Sequence, residues 1–330
     1  MKDDTPRQFD VIVTAGFSHT SRPVLQTNKV LLPIAGIPVI NYVLHAVERA
    51  RCTARVFVVG DRARLEEALA LSASPFHGTR PVTLIEQGQT LYDNVWRAFL
   101  HTLPDYTPDM DVHAYEHTNM LEKAVLVVAG DTPLATPMEI DEFVDSCDLT
   151  RYDYCLGLTA EPNLRPYYPK NGQPGIRMAY FTLRDLQVRH NNLHLVKPLR
   201  VANRHYVRKI YDVRYQKEWR NILKLCREMV RIRETTLRMA WSFFCLHLAH
   251  YLRQYGWQHS PLFRPFFLEL PMVASLMSQL LGTRFTTIMT HYGGCVMDVD
   301  NAEHYEAMCA NFARWMTYQQ VLEKELKQRA

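Results

Sequence analysis

Short hydrophobic runs alternate with amphipathic stretches over the first half of the chain. Four β-branched runs predict buried strands, and four stretches with apolar residues at helical spacing predict helices between them. The predicted strands occupy residues 9–16, 55–60, 81–86 and 123–131. The predicted helices occupy residues 38–50, 61–71, 91–103 and 137–145. Strands that alternate with helices of this length indicate βαβ units around a mostly parallel sheet.

The carboxyl ends of parallel strands are where open α/β sheets bind their ligands. The loops at those ends are therefore the first place to look for binding residues. They begin after Ala15, Gly60, Glu86 and Gly130.

The pattern changes in the second half of the chain. Residues 154–160, 176–186 and 285–299 have strand-like composition, 205–281 reads as helical, and 301–330 is a charged amphipathic helix. We therefore predict three segments. They are an α/β core at 1–204, a basic and aromatic helical insertion at 205–284, and a return to the core at 285–330.

Composition and targeting signals narrow the class of protein. With 330 residues, of which 47% are hydrophobic, the chain is long enough to bury a sizeable core. Seven scattered cysteines without C-x-x-C spacing predict reduced thiols in the cytoplasm. No signal peptide, spanning segment or nucleic-acid-binding motif is recognisable, so we expect no nucleic acid partner.

Positive charge is concentrated in one segment. Residues 197–238 contain 13 Lys and Arg against four Asp and Glu, whereas the whole chain has a net charge of only +4. Nine aromatic residues follow at 241–267. Three interpretations are open: a solvated helix face, a pocket for an anionic phosphorylated substrate, or peripheral contact with an anionic membrane through 197–267.

Two motifs at predicted strand ends have the residue types that bind phosphates and metals. Thr-Ala-Gly at 14–16 is followed by Lys29, and turn amides with an ammonium group can neutralise phosphate charge. Asp131 ends the central strand, where a carboxylate suits a Mg²⁺ ion that bridges phosphates. The alternatives are an ordinary turn with an exposed lysine and an acid that caps a helix.

A second pair of acids lies far along the chain. Asp298 and Asp300 alternate on a predicted strand, so both point the same way and could complete a metal site with Asp131. The alternative is that Asp300 or Asn301 only caps the last helix.

Together, these motifs resemble the MobA-like nucleotidyltransferases. VTAG, NKVLLPIAGIPVINYVL, VVAGDTPL and DVDNAEHY match in order that family's L-A-G-G, P-K-x-L-L-P-I-x-G-K-P, G-D-x-P-L and D-I/V-D-x-P-E-D elements over the α/β part of the chain. The resemblance implies a Rossmann-like GT-A fold with a mixed, mostly parallel sheet. It also implies an enzyme that moves a nucleotidyl group from an NTP to a phosphorylated small-molecule acceptor and releases pyrophosphate, with Mg²⁺ as cofactor.

The resemblance also assigns roles by position. Lys29 and Asp131 would be catalytic, Asn192 would lie near the acceptor, and metal ligands would come from Asp131, Asp298 and Asp300. The implied nucleotide-binding residues are Ala15, Gly16, Arg22, Lys29, Gly88, Thr90 and Asn94.

One loop departs from the family pattern. Phe17 and Ser18 stand where glycines are common, and Arg22 lies two positions beyond the usual arginine. This departure favours an alternative, a non-catalytic or regulatory nucleotide-binding protein on the same fold. A nucleotide-sugar glycosyltransferase is a third reading. It ranks lower because the chain's only suitable D-x-D string, Asp298-Val299-Asp300, comes late.

Overall fold

The computed structural model describes residues 7–17, 24–70, 80–204, 206, 237–257 and 260–329. The predictions for Arg22, and for the part of the basic segment at 207–236, concern residues outside this set.

Ten strands and eight α-helices form the described part of the chain. The strands are β1 (Phe9–Thr14), β2 (Pro33–Ile34), β3 (Ile37–Pro38), β4 (Thr53–Gly60), β5 (Val82–Glu86), β6 (Val125–Ala129), β7 (Tyr154–Ala160), β8 (Phe181–Thr182), β9 (Gln187–Val196) and β10 (Phe285–Thr290). The helices are α1 (Val39–Arg49), α2 (Arg62–Ala70), α3 (Leu91–Thr102), α4 (Pro137–Asp145), α5 (Glu161–Leu164), α6 (Leu237–Gln254), α7 (Leu270–Leu281) and α8 (Ala302–Arg329).

Eight strands form one mixed sheet. Its order is β10-β7-β9-β6-β1-β4-β5, and β8 pairs with β9. Strand β9 runs antiparallel to β6, β7 and β8, while the other pairs are parallel. The predicted α/β fold with a mixed, mostly parallel sheet is confirmed.

Helices cover both faces of the sheet, which explains why its central strands are continuously apolar. In β1, Val11 and Val13 pack with α1 and α4 on one face, whereas Ile12 packs with α3 and α7 on the other. All three side chains are fully buried. The core therefore fixes β1 and β6 at the centre of the molecule.

The order of the strands creates a crevice at the end of β1. β4 pairs with one edge of β1, and β6, which comes much later in the chain, pairs with the other edge. There the Gly130 amide donates to the Thr14 carbonyl over 2.9 Å. A Cβ on Gly130 would lie 2.8 Å from that carbonyl oxygen, so only glycine permits the close approach. Ala15, Gly16 and Asp131 thereby meet at a topological switch point.

Two predicted strands were wrong in extent, and β2, β3 and β9 were not predicted. The strand expected at 285–299 ends at Thr290, and a 3₁₀ helix follows at Gly294–Val296. Only Phe181–Thr182 is strand within the stretch expected at 176–186. β10 pairs with β7 at the sheet edge, but the boundaries 1–204, 205–284 and 285–330 stay a prediction. No helix in the described part of the chain combines the length and apolarity needed to cross a membrane.

Candidate active site at the carboxyl edge of the sheet

Three aspartates from distant parts of the chain meet at the crevice. One carboxylate oxygen from each of Asp131, Asp298 and Asp300 lies within 4.8 Å of the others. The Val299 amide donates to the Asp131 carbonyl over 3.1 Å, which ties the two segments together. Asp298 and Asp300 lie in a loop, so the predicted strand there was wrong, but both acids still face the same site.

Helix capping does not account for Asp300. Asn301 caps α8, because its Oδ1 accepts from the His304 amide over 2.8 Å. The Asp300 side chain instead lies 3.0 Å from the Lys29 ammonium. Of the two capping candidates, Asn301 fills the structural role and Asp300 belongs to the acidic cluster.

Lys29 is held in place by its neighbour Asn28. The Asn28 side chain donates to the Ala15 carbonyl over 3.0 Å and accepts from the Val30 amide over 3.3 Å, which fastens this loop to the end of β1. The Lys29 Nζ then forms ion pairs with Asp131 and Asp300. Lys29 is therefore a member of the cluster rather than an exposed lysine.

Burial and charge act against each other in this cluster. Burial lowers the pKa of Lys29, but attraction to Asp131, Asp300 and Asp298 outweighs it and raises that pKa overall. Burial and the neighbouring Asp300 raise the pKa of Asp298. For Asp300 burial acts in the same upward direction, yet Lys29 lowers its pKa overall. The pKa values of these two neighbouring acids are thus shifted in opposite directions.

Arg189 is a second cation at the cluster, and the sequence did not predict it. Its Nη2 lies 3.3 Å from Asp298 Oδ1 and 3.9 Å from Asp300 Oδ2. Its Nη1 donates to the Ala179 carbonyl over 3.2 Å. Arg189 lies on β9, the strand that the hydrophobic pattern did not indicate, so no sequence signal singled it out. Within the described residues, three carboxylates share Lys29 and Arg189.

The glycines predicted for the nucleotide side come together around Asn94. The Gly88 amide donates to Asn94 Oδ1 over 2.6 Å, and a Cβ on Gly16 would lie 2.2 Å from Asn94 Nδ2. Thr90 caps α3, because its hydroxyl accepts from the Asp93 amide over 3.1 Å. Gly16, Gly88, Thr90 and Asn94 therefore form one surface between β1 and α3.

The loop after Gly16 already uses one of its amides within the protein. The Phe17 amide donates to Gln87 Oε1 over 2.7 Å. In a glycine-rich phosphate loop such amides point at the ligand. Nucleotide binding through the Phe17 amide would therefore require Gln87 to move.

Asn192 supports the backbone of the segment that leads to the acids. It has a positive φ of 60° within β9, and its side chain donates to the Cys295 carbonyl over 2.9 Å. Its role near an acceptor stays a prediction. Beside it, the buried Asn191 donates to the Thr290 hydroxyl over 2.9 Å.

Polar side chains continue from the cluster toward the end of β7. The Tyr168 hydroxyl lies 2.7 Å from that of Tyr180 and donates to Glu161 Oε1 over 3.0 Å. The Arg177 guanidinium lies 5.3 Å from the centre of the Tyr168 ring. We call Glu161, Tyr168, Arg177 and Tyr180 the polar wall. Because Arg189 contacts Ala179, the residue before Tyr180, the polar wall adjoins the acidic cluster.

Family comparison agrees with the fold and the motifs. Residues 11–230 match the model of the MobA-like NTP transferase domain. The chain belongs to this family, which confirms the resemblance inferred from its motifs.

Individual relatives cover different parts of the chain. Over 139 residues it is 36% identical to 2-C-methyl-D-erythritol 4-phosphate cytidylyltransferase of Prochlorococcus marinus (strain MIT 9313), covering 39% of this chain and 57% of that relative's length. A hypothetical transferase from Thermus thermophilus has a TM-score of 0.60 at 19% identity, covering 90% of this chain and 99% of that one. A CMP:2-keto-3-deoxy-manno-octonic acid synthetase complexed with CTP has a TM-score of 0.45 at 13% identity, covering 93% and 99%.

Proposed function

We propose that this protein is a Mg²⁺-dependent nucleotidyltransferase. It would move an NMP group from an NTP to a phosphorylated small-molecule acceptor and release pyrophosphate. The observation that carries the proposal is the meeting of Lys29 with Asp131, Asp298 and Asp300 at the crevice beside β1. Family membership and the fold support it.

The charge balance of the cluster favours a divalent cation. Three carboxylates with two cationic side chains carry one net negative charge when all are ionised, and this charge opposes the approach of a triphosphate. Carboxylate oxygens grouped within 4.8 Å fit the ligand preference of Mg²⁺. We assign Asp131, Asp298 and Asp300 as the residues that would hold it. Bound there, Mg²⁺ would neutralise phosphate charge as the transfer proceeds.

The side chains of the chain itself would bind and position the substrates. Lys29 would contact the triphosphate, with Ala15 and Gly16 beside the nucleotide. An oxygen of the acceptor phosphate would attack the α-phosphorus in line, while the bond to the β-phosphate breaks and pyrophosphate leaves. No covalent enzyme nucleophile is needed, so catalysis rests on orientation and charge neutralisation.

The acceptor would lie on the β9 side of the cluster. Arg189 offers a cation there, and Arg177 and the Tyr168 and Tyr180 hydroxyls offer further polar contacts for an anionic molecule. The name of the curated relative supports testing CTP and phosphorylated sugar alcohols first. Because the seven cysteines are scattered and lack C-x-x-C spacing, we propose a reducing, cytoplasmic compartment.

Pyrophosphate release tests the proposal directly. The four NTPs are first screened by thermal shift with and without Mg²⁺. The best NTP is then incubated with pools of sugar 1-phosphates, phosphorylated alcohols and pterin cofactors. We expect one pool to release pyrophosphate, and Asp131→Ala and Lys29→Ala to abolish most of that release. Near-wild-type release from either variant would contradict the assignment.

Exposed residues outside the cluster provide matched controls for these variants. Asp145→Ala changes an exposed acid at the end of α4, and Lys327→Ala changes an exposed lysine on α8. Both should release pyrophosphate at close to the wild-type rate.

The second candidate function is nucleotide binding without transfer. The hydrogen bond from the Phe17 amide to Gln87 Oε1 favours this candidate, because an amide that is already paired cannot stabilise the charge that develops on the phosphates during transfer, whereas the remaining residues of the site can still bind the nucleotide. In that case an NTP would still shift the melting temperature with Mg²⁺, while no acceptor pool would release pyrophosphate. Absence of any NTP-induced shift would contradict both functions.

A further inference from the structure

Two of the three site acids come from a segment without strand or α-helical structure. Asp298 and Asp300 follow the 3₁₀ helix at Gly294–Val296, and no regular element continues from there to α8. A loop of this kind does not fix its own side chains. The contacts that hold its backbone therefore decide whether the three carboxylates meet.

The backbone of Cys295, three residues before Asp298, is held from two directions. Its amide donates to Glu139 Oε2 over 2.9 Å, and its carbonyl accepts from the Asn192 side chain over 2.9 Å. Glu139 lies on α4, the helix that follows Asp131 along the chain. Asn192 lies on β9, the strand that also carries Arg189. The two side chains thus tie the acid-bearing segment to the elements around the rest of the cluster.

Glu139 occupies a position that is unfavourable for an acid. Its side chain is fully buried, and burial together with the neighbouring Glu142 raises its pKa. Burial of a carboxyl group costs free energy, and an apolar side chain would pack there without that cost. The hydrogen bond from the Cys295 amide is what an apolar side chain could not accept. The carboxyl is therefore explained by the backbone that it holds.

Asn192 lies in an irregular part of β9. Leu156 of β7 pairs with His194 of β9. Two residues later Leu158 pairs with His190, so four positions of β9 are matched by two of β7. Within this bulge Asn192 has a φ of 60°, a conformation that asparagine tolerates better than most residues. Bulges of this kind redirect a side chain, and this one turns Asn192 toward the Cys295 carbonyl.

We propose that Glu139 and Asn192 are positioning residues that hold the Cys295 backbone and so keep the two acids after it facing the third. Both would act through the backbone and not by contact with a substrate. This role rests on the proposed function, since the acids held in this way are the ones that would bind Mg²⁺. It gives Asn192 a task other than the acceptor contact that the family resemblance implied.

Substitutions can remove each hydrogen bond separately. Asn192→Gly removes the donor and keeps the backbone conformation, because glycine adopts a positive φ freely. Glu139→Met removes the acceptor from a side chain of similar length, and Glu139→Gln restores an acceptor oxygen. Asn171→Gly is the matched control, because Asn171 also has a positive φ, of 53°, but lies in an exposed turn.

Mn²⁺ binding measures how well the acids are placed. Mn²⁺ is the probe because it prefers the same carboxylate oxygens as Mg²⁺, and the electron paramagnetic resonance signal of the free ion reports its affinity. We expect Asn192→Gly and Glu139→Met to bind at least about tenfold more weakly than the wild type, as is typical when a residue that orients metal ligands is removed. Glu139→Gln and Asn171→Gly should bind like the wild type. Wild-type affinity in either of the first two variants would overturn the role of that residue.

Hydrogen exchange followed by mass spectrometry tests the position of the segment without any metal. We expect the amides of residues 294–300 to exchange at least about tenfold faster in Asn192→Gly than in the wild type. Those of β1 and β6 should keep their rates, which distinguishes local release from a loss of global stability. Equal exchange at 294–300 would overturn the positioning role even in an active transferase. No Mn²⁺ binding by the wild type, alone or with an NTP, would instead contradict the proposed function, and the role that rests on it would fall as well.

Discussion

Buried acids occur at both ends of the central sheet, and their surroundings differ. At the amino ends of the strands, Asp10 accepts hydrogen bonds from Arg55 over 2.8 and 2.7 Å and from Lys123 over 2.8 Å. Asp153 pairs there with Arg284 and with Lys197. Each of these acids meets two cations.

At the carboxyl ends, the ratio of charges is reversed. Asp131, Asp298 and Asp300 share Lys29 and Arg189. The two ends differ in how burial and neighbouring charges together shift the pKa of the acids. For Asp10 and Asp153 the paired cations overcome burial and lower the pKa, whereas for Asp298 burial and Asp300 raise it.

This comparison shows how a structural acid differs from a functional one in the same fold. An acid that is already neutralised holds its neighbours together and has little capacity for a ligand. A group of acids with too few cations costs stability and favours the arrival of another positive charge. Substitutions at one end of the sheet at a time test this difference.

The largest expected effect is on activity at the carboxyl end. Asp131→Asn keeps the side-chain shape but removes a charge from the proposed metal site. We expect transfer to fall on the order of 10³-fold, because charge neutralisation at the phosphates is the main source of catalysis. Asp10→Asn is the control from the other end, and its pyrophosphate release per folded molecule should stay near that of the wild type. Equal losses in the two variants would contradict the comparison.

The next effect is on stability at the amino end. Asp153→Asn leaves the buried ammonium of Lys197 and the guanidinium of Arg284 without this partner, and we expect it to lower the free energy of unfolding by roughly 2–4 kcal/mol. Urea denaturation followed by circular dichroism measures the change. Asp131→Asn should cost much less stability in the same assay. A reversed order of the two variants would show that the site acids, too, are structural.

A third effect is on the pH dependence of stability, and it arises from the buried residue Glu139. Burial raises the pKa of Glu139, on α4, to about 8, even though its Oε2 accepts from the Cys295 amide over 2.9 Å. The unfolded chain loses this proton near the ordinary value of 4.5. Between these values the folded state binds one more proton, so stability falls as pH rises, by at most about 1.4 kcal/mol per pH unit.

Glu139→Gln removes this pH dependence, because the amide does not ionise. We expect the melting temperature of the variant, relative to the wild type, to rise steadily between pH 5 and 8 and then level off. Thermal unfolding monitored at intervals across this range measures it. Parallel profiles for the two proteins would show that Glu139 does not hold its proton in the folded state.

The smallest effect is on the affinity for a free divalent cation. Arg189→Gln removes a positive charge that lies 3.3 Å from Asp298, and we expect Mn²⁺ to bind a few-fold more tightly without nucleotide. The electron paramagnetic resonance signal of free Mn²⁺ measures this affinity. The control is Arg62→Gln, which removes an exposed arginine that pairs with Glu66 on α2. Weaker binding to Arg189→Gln would show that Arg189 organises the acids instead of competing with the cation.

The strands that could be predicted are those buried on both faces. β1, β4 and β6 are runs of valine and other apolar residues, and their sequence alone marks the end of each strand and the glycines that follow. That was enough to put the Thr-Ala-Gly motif and Asp131 at the same edge of the sheet. The grouping of Asp298 and Asp300 with Asp131 was expected because the two acids alternate on a predicted strand, and the structure brings them together through a loop instead.

β9 could not be predicted because tertiary packing determines it. Its middle is His-Asn-Asn-Leu-His, with Asn192 at positive φ, a pattern that does not favour a strand. Asn191 fills the space above Gly157 on β7, where a Cβ would lie 2.0 Å from its Oδ1. This complementarity between two distant residues leaves no periodic signal. Arg189, on the same strand, was missed for the same reason.

Calorimetric titration with Mg²⁺ and an NTP tests the central claim most directly. The claim is that the acids at the carboxyl edge form the metal and nucleotide site, whereas those at the amino edge are structural. We predict that wild type and Asp10→Asn bind the Mg²⁺–NTP complex with similar affinity and that Asp131→Asn binds it at least about tenfold more weakly. Equal affinity of Asp131→Asn and the wild type would contradict the account.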